Sequence, residues 1–217
     1  MQRTKAQMHT HLSTNPNRSC VALFGAAVMI GGLTIPAPAE QFDQNVTPDV
    51  IFGSGNDNGA FTVEQNGGVE VGLRGKLRFN ENNSAENTFN SNGDGTYTFV
   101  AGVAPGGFGF QPIPPNPPTT PTWNFEWSVN TDHDGSFGNN LEDLMYELQM
   151  DADPSSGTNF VTIDPITPGV DAPFYDHAIG DNSTSNGGGT AASDAAQYMN
   201  LLANNNVAQN SWSYEFF

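Results

Sequence analysis

Residues 69–79 alternate without a break. Val69, Val71, Leu73, Leu77 and Phe79 occupy one parity with Gly75 among them, and Glu70, Gly72, Arg74, Lys76 and Arg78 occupy the other. Period two over such a length predicts a half-buried strand. Asn66-Gly67 just before it suits a hairpin turn, with residues 60–64 as the partner strand. A second alternation sets Trp123, Phe125, Trp127 and Val129 against Asn124, Glu126 and Ser128. Large aromatics dominate core burial, so this row reads as the inner face of a sheet. Residues 96–101, with Tyr97 and Phe99 on one side, predict a third strand.

Residues 141–150 carry two periods. Leu141, Leu144, Met145 and Leu148 have helical spacing, whereas Tyr146, Leu148 and Met150 have strand spacing. The turn residues Asp153-Pro154-Ser155-Ser156-Gly157 and the apolar stretch 160–163 follow, so a hairpin with a strand over 145–151 is expected. One helix is predicted, with Ser193 as N-cap, Asp194 in its first turn, a body over 195–203 and a stop at Asn204-Asn205-Asn206. Residues 105–121 are proline-rich and predict an irregular loop; residues 181–190 are rich in Ser, Asn and Gly. Short strands, turns of Gly, Pro and Asn, and one late helix predict an all-β fold, an antiparallel β-sandwich of jelly-roll type. The alternation at Trp212, Tyr214 and Phe216 reads as the start of a strand, so closing strands beyond residue 217 are expected.

Composition adds a compartment. Arg3, Lys5 and Arg18 precede the apolar run of residues 20–35, and Ala37-Pro38-Ala39 supplies small residues for a signal peptidase, so cleavage before Glu40 is expected. The run is short against the roughly 20 residues that span a bilayer, and no later stretch is long enough. The single cysteine, Cys20, lies in this leader, which excludes a disulfide scaffold for the single domain expected over 40–217. All 23 acidic residues follow residue 39, against only Arg74, Lys76 and Arg78. Such acidity argues against nucleic acid and anionic membrane surfaces and favours divalent cations.

The strongest chemical pattern is Asn130-x-Asp132-x-Asp134-Gly135-Ser136. Calcium takes six to eight hard oxygens, and alternate side chains of a tight loop can supply them. A helix-loop-helix site would place a glutamate at loop position twelve; that position is Leu141, so Glu142 or Asp143 would close the shell instead. Calcium bound by Asn130, Asp132, Asp134, Ser136, Glu142 and Asp143 is weighed against an ordinary turn, where Asn, Asp and Gly are favoured without any metal. Residues 90–96 repeat the spacing with one carboxylate, Asp94. Arg74, Lys76 and Arg78 fall on one face of their strand, either as a face for an acidic polysaccharide or paired with carboxylates of neighbouring strands. No catalytic arrangement emerges. His133 and His177 lack zinc-ligand spacing, Ser193 lacks the glycines of a nucleophile elbow, and Gly187-Gly188-Gly189 lacks the lysine of a phosphate loop.

Several segments carry a family resemblance: residues 46–56 (VTPDVIFGSGN), 72–79 (GLRGKLRF), 89–99 (FNSNGDGTYTF), 123–130 (WNFEWSVN) and 204–212 (NNNVAQNSW). In these the chain resembles secreted bacterial proteins of the kind that carry a PEP-CTERM sorting tail. The resemblance implies export and association with the cell surface or matrix, and supplies no catalytic residues. The tail's Pro-Glu-Pro motif, membrane helix and basic end are not in this sequence. The expectation is a secreted, non-catalytic structural or adhesive protein of the envelope or extracellular matrix, stabilised by calcium, with extracellular polysaccharide or envelope components as partners. A carbohydrate-binding module using exposed aromatics or the Arg74/Lys76/Arg78 face is the first alternative. A glycoside hydrolase is the second, which needs two carboxylates about 5 to 9 Å apart across a cleft.

Overall fold

The computed structural model describes residues 11–12, 21–22, 40–77, 87–98, 123–151, 159–167 and 176–213. The proline-rich stretch 105–121, Arg78 and most of residues 1–39 lie outside them. β1 (His11–Leu12) and β2 (Val21–Ala22) form a two-residue antiparallel pair.

The body is a six-stranded antiparallel sheet. It comprises β3 (Gln41–Gln44), β4 (Phe61–Asn66), β5 (Val69–Leu77), β6 (Trp123–Asn130), β9 (Ala178–Gly180) and β10 (Val207–Ser213), in the order β3-β4-β5-β6-β10-β9. A separate hairpin pairs β7 (Leu148–Asp151) with β8 (Phe160–Ile163). One 3-10 turn, η1 (Leu141–Asp143), and one helix, α1 (Ala195–Asn204), complete an all-β, sandwich-like fold with no closed barrel among the described residues.

The two alternating segments form the two central strands. In register Val71 faces Val129 and Leu73 faces Trp127; β10 adds Ala208 beside Val129 and Trp212 beside Phe125. This face carries the main core, closed by Leu141 of η1, Leu148 of β7, Tyr146, Ile166, and Tyr198 and Leu202 of α1. Trp127 meets Trp212 edge to face at 5.5 Å between ring centres and His177 at 5.0 Å.

The other face departs from the expectation of a solvated side. Glu70, Arg74, Lys76, Asn124, Glu126, Ser128, Asn130 and Gln209 are all buried. The chain segment 45–59 lies over them and seals the edges with two small apolar clusters, Val46, Val50, Phe61 and Val63, then Ile51, Ala178 and Val207. Its close approach explains a glycine inside β5: a Cβ on Gly72 would stand 2.5 Å from Val46 Cγ1. Gln209 ties this cover down. Its Nε2 donates to Asp49 O at 2.8 Å and Ser128 Oγ at 3.1 Å, and its Oε1 accepts from Ile51 N at 2.8 Å. Gln209→Ala strands a buried N–H and a buried carbonyl, so it should lower stability by about 2–4 kcal/mol in a urea titration.

Local expectations are refined at element ends. The β4–β5 hairpin turns on Gly67-Gly68, with φ of 55° and 78°, one residue beyond the expected Asn66-Gly67. Two positive φ angles require glycine-like freedom at both central positions. The strand expected over 145–151 begins only at Leu148, because Leu141–Asp143 winds into a 3-10 turn. The expected strand at 96–101 is reduced to an isolated bridge between Ser91 and Tyr97, with residues 99–101 outside the described set. The N-cap of α1 is Asp194 rather than Ser193: Asp194 Oδ1 accepts from Gln197 N at 2.8 Å. A carboxylate also suits the positive end of the helix dipole better than a hydroxyl.

Candidate functional site

The loop leaving β6 begins at Asn130, which is fully buried. Its Nδ2 donates to Thr47 O at 3.0 Å and to Asn182 Oδ1 at 2.8 Å. Its Oδ1 accepts from Asp132 N at 3.0 Å and from Asn206 Nδ2 at 2.7 Å. All the hydrogen-bonding capacity of this amide is turned inward, joining β6 to the loops at 47, 182 and 206. Asp132 folds back on its own loop, Oδ1 accepting from Phe137 N at 2.9 Å and Oδ2 from Gly138 N at 3.0 Å. Asp134 Oδ1 accepts from Ser136 N at 3.0 Å, and Asp143 Oδ2 from Asn140 N at 2.9 Å. Ser136 and Glu142 are exposed.

Asn130, Asp132, Asp134 and Asp143 each serve backbone or amide N–H groups, and among the described residues no three His, Cys, Asp or Glu side chains converge as a metal-holding group. Acceptor oxygens two residues before the N–H they serve make turns without help from an ion. Residues 90–96 do the same, with Asp94 Oδ1 accepting from Thr96 N at 3.1 Å. On this geometry a thermal melt in chelator and one with calcium at matched ionic strength should coincide. Asp132→Ala should cost about 1 kcal/mol through its lost caps, equally in both conditions.

The basic strand is a buried cluster. Arg74 is 1 % exposed and Lys76 6 %. In register Arg74 faces Glu126, and its Nε donates to Glu126 Oε2 at 2.7 Å. Nη1 donates to the carbonyls of Asp57 and Gly59, both at 2.7 Å. The guanidinium lies 4.2 Å from the ring centre of Phe61 and 4.1 Å from that of Phe89. Nη2 is buried without a hydrogen-bond partner. Burial pulls the Arg74 pKa below its ordinary value, and the charge of Glu126 opposes that pull. Lys76 Nζ touches Asn56 Oδ1 and lies 3.9 Å from Glu126 Oε1. Arg74 and Lys76 are thus withdrawn from any surface ligand, which corrects the reading of Arg74/Lys76/Arg78 as a binding face. The cross-strand carboxylate account is the one the geometry supports for Arg74. The aromatic platform fares likewise: Phe125 and Trp127 are core residues, and the Trp123 side chain lies outside the described set.

Asp176 and His177 lie together, with Nδ1 3.2 Å from Asp176 Oδ1. The imidazole is buried among Trp127, Tyr198 and Trp212, and its Nε2–H points at Pro165 O, 2.6 Å away. Ser193 hydrogen-bonds instead to Asp194 and Gln197, so the pair serves as a pillar under β10, where Asn210 also reaches it. Gln209, Asn206 and Asn182 are the participants that sequence reasoning missed. No hydrophobic alternation marks this strand, since each parity of β10 mixes apolar and polar residues.

Three turn carboxylates titrate low. Hydrogen bonds from Ser136, from His177 and from Ser183 hold Asp134, Asp176 and Asp181 below the ordinary aspartate value of 3.8. A pKa depressed on folding contributes stability above the unfolded value, lost as pH falls through the folded one. The melting temperature should therefore hold from neutrality to about pH 4 and fall below it, with Asp181→Asn and Asp176→Asn flattening the acid limb.

The class these features define is an all-β, sandwich-like antiparallel protein whose buried polar groups bind loops to a central sheet. Comparison with protein-family models, with curated proteins and with solved structures returns no match.

Proposed function

We propose that the chain is an exported, non-catalytic structural or adhesive protein of the cell envelope or extracellular matrix. One observation carries the reading: the described surface is acidic, while the described basic side chains are turned inward. Asp43, Asp57, Asp94, Asp134, Glu142, Asp181 and Asp194 are exposed, whereas Arg74 and Lys76 are buried. Such a surface repels nucleic acid and anionic lipid and stays hydrated in the charged polymer outside a cell. No helix among the described residues is long and apolar enough to cross a membrane. Among the described residues, Arg74 and Gln209 are engaged in holding the cover of residues 45–59, and Asn130 in holding the loop after β6. Extracellular polysaccharide or envelope components are the partners that suit this surface.

The test is expression of the full chain in an exporting bacterial host, followed by fractionation. The expected result is a protein beginning at Glu40 that co-sediments with purified matrix polysaccharide and releases no sugar from it. Retention in the cytoplasm, or release of reducing ends from the polysaccharide, would overturn the proposal.

A further inference from the structure

Lys76, Asn56 and Glu126 meet beneath the loop of residues 52–59. Lys76 is 6 % exposed and Glu126 1 % exposed. The Lys76 amine touches Asn56 Oδ1, one bond from the carboxamide carbon, and Glu126 Oε1 lies 3.9 Å from the same nitrogen. A nucleophilic amine, a carbonyl carbon with a leaving amide nitrogen, and a carboxylate to move protons are thus held together, the amine and the carboxylate buried and Asn56 half-buried at the edge of the loop. Proximity and water exclusion are the two conditions that acyl transfer to a lysine requires.

The surroundings fix each group. Asn56 Nδ2 donates to Phe52 O at 2.9 Å, and the Asn56 main-chain carbonyl accepts from Asn186 Nδ2 at 2.7 Å. Arg74 clamps the next turn through the carbonyls of Asp57 and Gly59, and holds Glu126 by Oε2, leaving Oε1 toward the lysine. Phe61 and Phe89 cover the two sides of the guanidinium.

We propose that Lys76 and Asn56 join in a self-formed intramolecular isopeptide bond, with Glu126 carrying the protons. The Lys76 ammonium gives a proton to Glu126, and the freed amine attacks Asn56 Cγ. Glu126 passes the proton to Nδ2; the Cγ–Nδ2 bond breaks and ammonia departs, taking up the second proton that the new amide nitrogen sheds. In sum one ammonium side chain and one carboxamide give one secondary amide and one ammonium ion, with no oxidant, reductant or further reactant. Loss of ammonia to bulk water draws the reaction forward. The bond ties the cover over the sheet to a central strand, in a chain whose only cysteine is Cys20 and which therefore has no internal disulfide.

The rival amide is Asn124, which faces Lys76 in register and whose Nδ2 donates to Ser211 Oγ at 2.9 Å. The experiment is intact-mass and tandem peptide mapping of the full chain purified from the exporting host. The expected mass is about 17 Da below that of the processed sequence, one ammonia lost. The expected map contains a branched peptide joining Lys76 to Asn56. Lys76→Arg and Asn56→Ala should restore the unlinked mass, and Glu126→Gln should leave both peptides free in a folded protein. Recovery of the Lys76 and Asn56 peptides unlinked from the folded natural chain would overturn the proposal, as would a branch at Asn124. A Glu126→Gln chain linked as fully as the natural one would remove Glu126 from the reaction. The map of the natural chain decides the bond even if a variant fails to fold.

Discussion

Glu126→Ala is expected to lower the stability of the folded chain by about 3–5 kcal/mol, read from the shift of its urea midpoint. The carboxylate is 1 % exposed and accepts from Arg74 Nε at 2.7 Å. Taking it away leaves a guanidinium that remains charged inside the protein, already carrying one buried nitrogen without a partner. The two carbonyl acceptors at Asp57 and Gly59 and the rings of Phe61 and Phe89 cannot neutralise that charge. Removing both charges is a different matter, since a buried pair replaced by apolar groups of similar size is often neutral. Arg74→Met/Glu126→Leu should therefore recover part of the loss, with Lys76 still lacking its carboxylate. The coupling from the full mutant cycle isolates the ion pair from any contribution of Lys76. A Glu126→Ala protein within about 1 kcal/mol of the parent would mean that the pair is solvated, as exposed ion pairs are.

Trp127→Ala is the second large effect, expected at about 3–5 kcal/mol. Trp127 is 1 % exposed, lies against His177 and Trp212, and sits in register with Leu73 on one side and Asn210 on the other. The hole it leaves opens between the sheet and the cover formed by η1, α1 and β7, which rigid strands cannot collapse to fill. Trp127→Phe should cost less than half as much. The indole Nε1 is buried without an acceptor, so a ring lacking that donor gives back part of what its smaller volume loses. Urea titration measures both, and near-ultraviolet circular dichroism should lose the Trp127–Trp212 signal in either variant.

The strands were legible because alternation is a property of the backbone. Residues 69–77 and 123–130 pair in the sheet in the register that buries Val71, Val129, Leu73 and Trp127 together. What alternation does not report is the cover over each face. Glu70, Arg74 and Lys76 look like a solvated side, yet the segment 45–59 lies on them, and that segment has no period of its own. Its attachment depends on Gln209, more than 150 residues away in the chain, and no local pattern foretells such a contact. The Asn130–Ser136 motif is ambiguous in sequence for a related reason. Asp and Asn oxygens serve an ion or a backbone N–H equally well, and the choice rests on where Phe137 N and Gly138 N lie. The helix at 195–204 was readable from its cap region, where Asp194 and Ser193 differ by one position.

Arg74 and Lys76 of β5 belong to the interior. The most direct measurement treats the folded full chain with an arginine-selective dicarbonyl reagent and quantifies the Arg74 peptide by mass spectrometry, beside the same chain in denaturant. Arg74 should remain unmodified in the folded chain and react fully once it is unfolded. Modification of Arg74 at the same rate in both would place it on an open surface and contradict the buried Arg74–Glu126–Lys76 cluster.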